Sequence, residues 1–258
     1  MRRRLDRRVI GMLLGAVGAA LAVQVLSSVW AGATSGNVPA ASPQVQRGFE
    51  LFSTSCATCH GAGGEGVPGN GPSLVAPPVG PAAVDFMLST GRMPLANPDA
   101  ALVRGEPQFS RSEIDAMIAY LSSVRAGGPA IPTVMTADGS LSIGQELFQG
   151  NCAACHGAAG EGGSVGGGQV APSLNVATPR QIGEALLTGP GVMPKFGPEQ
   201  LSEHEVNSVA RYVLWLRDNG DPGGLGIGRV GPVAEGFVAW VVGLGLLFIV
   251  IRLTGTKT

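Results

Sequence analysis

Two pentapeptides, Cys56-Ala57-Thr58-Cys59-His60 and Cys152-Ala153-Ala154-Cys155-His156, place an imidazole directly after a pair of thiols spaced by two residues. Together they use all four cysteines of the chain. At this spacing each thiol can add to one vinyl group of a single haem while the following histidine reaches the iron, so the chemistry indicated is covalent attachment of two haems c. Two rival uses of such thiols are a structural zinc site and a redox dithiol. Neither accounts for a histidine at the same place in both copies. Nor does either explain why each copy is followed by a glycine-rich loop and then, some thirty to forty residues on, by a Met-Pro pair. With every thiol on haem none is left for a disulfide, and apolar packing around the porphyrins must hold the fold.

His60 and His156 are the proximal ligands by motif position. The sixth ligand has to be chosen among seven methionines, of which only Met93 and Met193 occupy matching places, each before a proline. Proline lacks a backbone donor and restricts the residue before it to extended geometry, which suits a stiff loop presenting a thioether to iron. Met87 competes in the first half but falls on an expected helix and has no counterpart in the second. Histidine and methionine together saturate the iron and raise its potential, favouring electron transfer over binding of oxygen or peroxide. Each proximal histidine also needs its other ring nitrogen held, commonly by a backbone carbonyl. Pro72 and Pro172, each opening a Pro-Ser-Leu run after the glycine loop, are the candidates. The third histidine, His204, reads as a solvated surface residue.

The elements that must position these groups occur twice, as an internal repeat. Gly48, Glu50, Leu51 and Phe52 precede the first motif as Gly144, Glu146, Leu147 and Phe148 precede the second. Downstream, Gly64-Glu65-Gly66 matches Gly160-Glu161-Gly162, Pro72-Ser73-Leu74 matches Pro172-Ser173-Leu174, and Thr90-Gly91-Arg92-Met93-Pro94 matches Thr188-Gly189 with Met193-Pro194. Each half closes with a helix announced by a capping box, Ser110 with Glu113 and Ser202 with Glu205, and Tyr120 and Tyr212 fall at equivalent places in those helices. Gly48 and Gly144 would let the closing helix approach closely, with Phe52 and Phe148 filling the crossing. At about eighty residues, each half is small for an apolar core of its own and should depend on the apolar surface of a buried haem. Between the halves, Arg125 to Leu141 reads as a Gly, Pro, Ser and Thr-rich linker, and a second glycine-rich stretch runs from Asn219 to Gly228.

The ends are apolar. After Arg2, Arg3, Arg4, Arg7 and Arg8 the chain runs from Val9 to Trp30 without a charge, about 33 Å as a helix. This is either a retained anchor or a signal peptide with a cleavage site near Ala31-Gly32-Ala33. Either way the arginines stay in the cytoplasm and the rest is exported. Val230 to Ile251 is apolar apart from Glu235 and is followed by Arg252 and Lys257, the pattern of a stop-transfer anchor. Glu235 lies where a carboxylate can reach the headgroups, or can meet a neighbouring membrane subunit. Between Ala31 and Arg229 there are 16 acidic and 10 basic residues, a balance that either helps docking to a basic protein partner or simply keeps the domain soluble, and that gives no support to nucleic-acid binding.

Each half resembles a class I cytochrome c domain, with C-x-x-C-H, a Pro-Ser-Leu segment like the family's G-P-x-L, and a Met-Pro loop in order. In that family the segment's proline carbonyl accepts the histidine proton, which supports Pro72 and Pro172. The full order closely resembles the dihaem cytochrome c subunit of actinobacterial cytochrome bcc complexes. The implied fold is all-α: two tandem class I cytochrome c domains, a C-terminal transmembrane helix and an N-terminal signal or anchor helix. Expected boundaries are a leader at 1–33, domains at 44–125 and 142–219, linkers at 126–141 and 220–229, a membrane helix at 230–252 and a cytoplasmic tail at 253–258. The resemblance implies a plasma-membrane subunit of a quinol–cytochrome c reductase, with its haem domains outside the cytoplasm and no substrate chemistry on this chain. Its implied partners are cytochrome b, a Rieske iron-sulfur protein and a terminal cytochrome c oxidase. Either domain could be the acceptor and the other the donor. The runner-up is an electron-accepting subunit of a membrane-bound periplasmic dehydrogenase. A cbb3-type dihaem subunit would carry its anchor at the N-terminus, and a dihaem peroxidase would need an open iron.

Overall fold

The computed structural model describes residues 42–77, 79–218 and 236–255. The expected leader, the 220–229 linker and Glu235 lie outside these residues. The first half contains α1 (Pro43–Ser55), α2 (Ala57–His60), α3 (Gly80–Ser89) and α4 (Arg111–Val124). The second contains α5 (Leu141–Asn151), α6 (Ala153–His156), α7 (Pro179–Thr188) and α8 (Glu203–Asp218).

In each half the first long helix crosses the last. On α1, Gly48, Leu51 and Phe52 form one buried stripe at spacings of three and four, against Ile114, Met117, Tyr120 and Leu121 of α4. A Cβ on Gly48 would sit 2.0 Å from the Ala116 carbonyl oxygen, and one on Gly144 of α5 would sit 2.1 Å from that of Ser208 in α8. Two backbones touch at these points, and no side chain fits. Phe52 and Phe148, almost wholly buried, pack beside the two contacts against Tyr120 and Tyr212.

The expected caps form. Ser110 accepts from the Glu113 backbone while the Glu113 carboxylate accepts from the Ser110 N–H at 3.0 Å. Ser202 and Glu205 repeat the arrangement, with the Ser202 N–H donating to the carboxylate at 2.7 Å and the Glu205 N–H donating to the Ser202 hydroxyl at 3.4 Å. A third box, Thr178 with Gln181, starts α7.

Two features go beyond the helical expectation. A short antiparallel hairpin, β1 (Gly163–Gly166) with β2 (Gln169–Ala171), pairs Gly163 with Ala171 and Ser164 with Val170 after the second haem motif. Its first-half counterpart is a single bridge, Val67 to Gly71, because that loop is shorter. In addition, α3 and α7, the helices leading into the two Thr-Gly turns, pack against each other and join the halves. The segment read as a linker is laid along them. Pro129 accepts from the Ala82 N–H at 3.1 Å, Pro132 and Val134 cover Gly183, and the Met135 N–H donates to Asn207 Oδ1 at 2.9 Å.

Gly236–Thr254 forms one apolar helix long enough to cross a membrane. It includes a π-helical stretch at Ala239–Leu244 before α9 (Gly245–Thr254).

Candidate haem sites

Each C-x-x-C-H segment is a single helical turn hung from the end of the long helix before it. The Cys56 N–H donates to the Phe52 carbonyl and the Cys152 N–H to the Phe148 carbonyl, both at 2.8 Å, and the histidine N–H groups close the turn onto Cys56 at 2.9 Å and Cys152 at 2.8 Å. Gly61 (φ 80°) and Gly157 (φ 78°) end the turns in a backbone conformation that side chains disfavour. Beyond them the Glu65 and Glu161 carboxylates accept from the Gly63 and Ala159 N–H groups at 2.8 and 3.1 Å, tying off the two loops alike.

These loops carry the proline carbonyl back to the histidine. Gly66 N–H donates to the His60 carbonyl at 2.6 Å and Leu74 N–H to that of Gly64 at 2.8 Å. The second half repeats both bonds, Gly162 to His156 at 2.7 Å and Leu174 to Gly160 at 2.8 Å. As a result His60 Nδ1 lies 2.8 Å from the Pro72 carbonyl oxygen and His156 Nδ1 lies 3.0 Å from that of Pro172. With Nδ1–H donating, Nε2 carries the free lone pair, which is the tautomer an iron ligand requires.

The thiols are available for attachment. All four are unpaired. Burial pushes the Cys56 and Cys152 thiols up to about 11, with the neighbouring Cys59 and Cys155 adding to the effect. A redox dithiol would need a thiol that ionises readily, which these buried sulfurs are not. Among the described residues no three His, Cys, Asp or Glu side chains converge on a metal-sized site, so the two dithiols do not share one.

Met93 packs half-buried against the cluster of Leu51, Leu88, Ile114 and Met117 that Cys56 also lines, and Met193 joins the cluster around Phe148 and Leu186 that Cys152 lines. The structure therefore brings each candidate methionine and the first thiol of its motif to one apolar cluster. Met87 lies on α3, where its carbonyl accepts from both Arg92 and Met93 N–H groups. His204 is exposed.

Sequence reasoning gave no role to Arg92. Its side chain is only 8% exposed, its guanidinium carbon stands 4.8 Å from the centre of the Phe86 ring, and its Nη1 has neither solvent nor a hydrogen-bond partner. Burial, and then the like charge of Arg104, lowers its pKa from the ordinary arginine value. The signal was one charged residue immediately before the candidate ligand, in a motif whose other copy has valine there.

Residues 45–125 match the family model for cytochrome c, and residues 139–213 match that for subunit III of cbb3-type cytochrome c oxidase. The cytochrome bc1 complex cytochrome c subunit of Mycobacterium tuberculosis (strain H37Rv) is 39% identical over 256 residues, covering 94% of this chain and 89% of that protein. The chain belongs to this family of cytochrome c subunits. The Mycobacterium leprae member is 41% identical over 210 residues, covering 78% of this chain and 71% of its own length. More distant is the cbb3-type oxidase subunit CcoP of Rhodobacter capsulatus, 32% identical over 189 residues that cover 64% of this chain and 60% of that protein. As a cytochrome c subunit of a bc complex, the chain is a respiratory electron-transfer protein built of helical haem-binding domains. Its apolar C-terminal helix is in keeping with membrane anchoring.

Proposed function

We propose that the chain carries two covalently bound haems. In this reading Cys56, Cys59, His60 and Met93 hold the first, and Cys152, Cys155, His156 and Met193 the second, with Pro72 and Pro172 orienting the histidines. The observation that carries the proposal is the doubled bond from histidine Nδ1 to a proline carbonyl, beside unpaired thiols, at 2.8 and 3.0 Å. Iron bound at such a site supplies one-electron transfer, and the protein's part is to hold the axial groups in place and keep the site apolar. The domains span 44–125 and 142–219, the membrane helix follows the second, and both haem domains face the extracytoplasmic side of the plasma membrane. In the complex the haems relay electrons from a Rieske iron-sulfur centre to a terminal cytochrome c oxidase, alongside cytochrome b. Quinol oxidation takes place on other subunits.

The test is purification through a C-terminal tag in mild detergent, with mass spectrometry of the co-purifying subunits and a reduced-minus-oxidised spectrum. Cytochrome b, a Rieske protein and oxidase subunits beside c-type haem are expected. A dehydrogenase partner without cytochrome b would overturn the electron path.

A further inference from the structure

We propose that Arg92 pairs with a propionate of the first haem and sets that haem's potential apart from the second's. This rests on the haem-binding reading above. Arg92 is tied to the candidate ligand through the backbone, since its own N–H and that of Met93 both donate to the Met87 carbonyl, at 3.0 and 3.1 Å. The preceding residues leave the turn little freedom. Thr90 is fully buried, and its carbonyl accepts from the Gly105 N–H at 3.0 Å. The guanidinium is thus fixed over Phe86 beside the Met93 position.

A buried cation needs an anion or acceptors, and protein groups supply none to Arg92 Nη1. Asp85, buried on the same helix α3, is committed to Arg111 at 2.5 Å and to Arg180. Arg104, the nearby like charge, donates instead to the Val176 carbonyl at 3.3 Å and to Gln181 Oε1 at 3.1 Å. A haem held by Met93 would carry two propionate carboxylates, and a fixed guanidinium beside that ligand would be suited to bind one.

The electrostatic consequence has a sign. A propionate left unpaired favours the ferric, more positive iron. Its neutralisation by Arg92 favours the ferrous state and raises the potential. The second half has Val192, 65% exposed, immediately before Met193, so it lacks this device.

The experiment uses the full-length chain, matured with haem and purified in detergent, with a count of covalent haem and an equilibrium redox titration of both haems. In Arg92→Leu two haems are expected to remain, with one potential lowered by the equivalent of about tenfold in the reduction equilibrium, about 59 mV for one electron, and the other unmoved. Arg92→Lys should restore most of the shift. A variant with both haems in place and both potentials at wild-type values would overturn the proposal. Arg92→Gln keeps donors and bulk without charge, and it is read in the same way where the leucine variant fails to assemble. A wild-type chain without covalent haem would instead remove the haem reading itself.

Discussion

His60 is 9% exposed, whereas His156, in the same turn with the same bond to a proline carbonyl, is only partly buried, and Cys155 is exposed where Cys59 is partly buried. The first half adds a long segment after Met93 that reaches Val176 and Gln181 of the second through Arg104. The second half adds the β1–β2 hairpin, whose Val170 is 71% exposed. The backbone bonds that place histidine, thiols and proline are nearly identical in the two halves, while what surrounds them differs. A duplicated scaffold can hold ligation constant and vary exposure and charge in the loops, which is how two haems of one type can differ in accessibility and potential.

The comparison breaks most directly at the thiols. Cys56→Ser with Cys59→Ser, and separately Cys152→Ser with Cys155→Ser, should each leave one covalent haem per chain, measured by denaturing-gel haem stain and mass. On the proposal that each half is completed by its own haem, the affected half should also lose protease resistance while the other keeps it. A count of two haems in either variant would overturn the motif assignment.

Next in size are the helix crossings. Gly48→Ala and Gly144→Ala each force a methyl group to within about 2 Å of a backbone carbonyl oxygen. Each should cost about 3 kcal/mol, the upper end of the range for overpacking, seen as a lowered unfolding midpoint. Nearly equal losses would show that the crossings are equivalent. A loss in one half alone would show that the other half's contact relaxes cheaply.

The methionines sharpen the comparison at the iron. Met193→His should keep both haems covalent and lower one potential, because imidazole replaces a thioether that favours ferrous iron. Met93→His should lower the other. An unchanged titration for either variant would remove that methionine from the ligand set.

How much of this could be read in advance follows the repeat. The haem turns, the capping boxes and the two glycine crossings stand at matching positions, so the second copy corroborates the first. Features outside the repeat were harder to see. Asp85 and Glu184 lie outside the matched motifs and carried no reading from the sequence, yet both are fully buried where α3 meets α7. Their burial depends on one half covering the other, which no local period encodes. The linker reads as loose from its composition because its contacts are backbone bonds and prolines laid against glycines. The hairpin is written mostly in glycine and other residues of low strand propensity, with only Val165 and Val170 favouring a strand.

That hidden interface gives the smallest expected effect and the one that tests whether the halves act as a unit. Glu184 faces Asp85 and Arg180 and is deprived of water, with its Oε1 accepting from Arg180 Nε at 3.1 Å and its Oε2 without a donor. Arg111 reaches the same Asp85 from α4. Burial first, and then the adjoining Asp85 carboxyl, pushes the Glu184 pKa up to about 8. A carboxyl raised in the folded state holds its proton there while the unfolded chain has released it, so the folded state binds more protons between about 4.5 and 8. Stability is therefore greatest at the acid end of that window and falls as pH rises through it. In Glu184→Gln the neutral amide takes the place of the protonated acid, and that part of the slope should vanish. The measurement is the unfolding midpoint of the second half at pH 5 and pH 8, with a decline of a few degrees expected in the wild type and a smaller one in the variant. Equal slopes would mean that water reaches the interface and that α3 and α7 separate in solution.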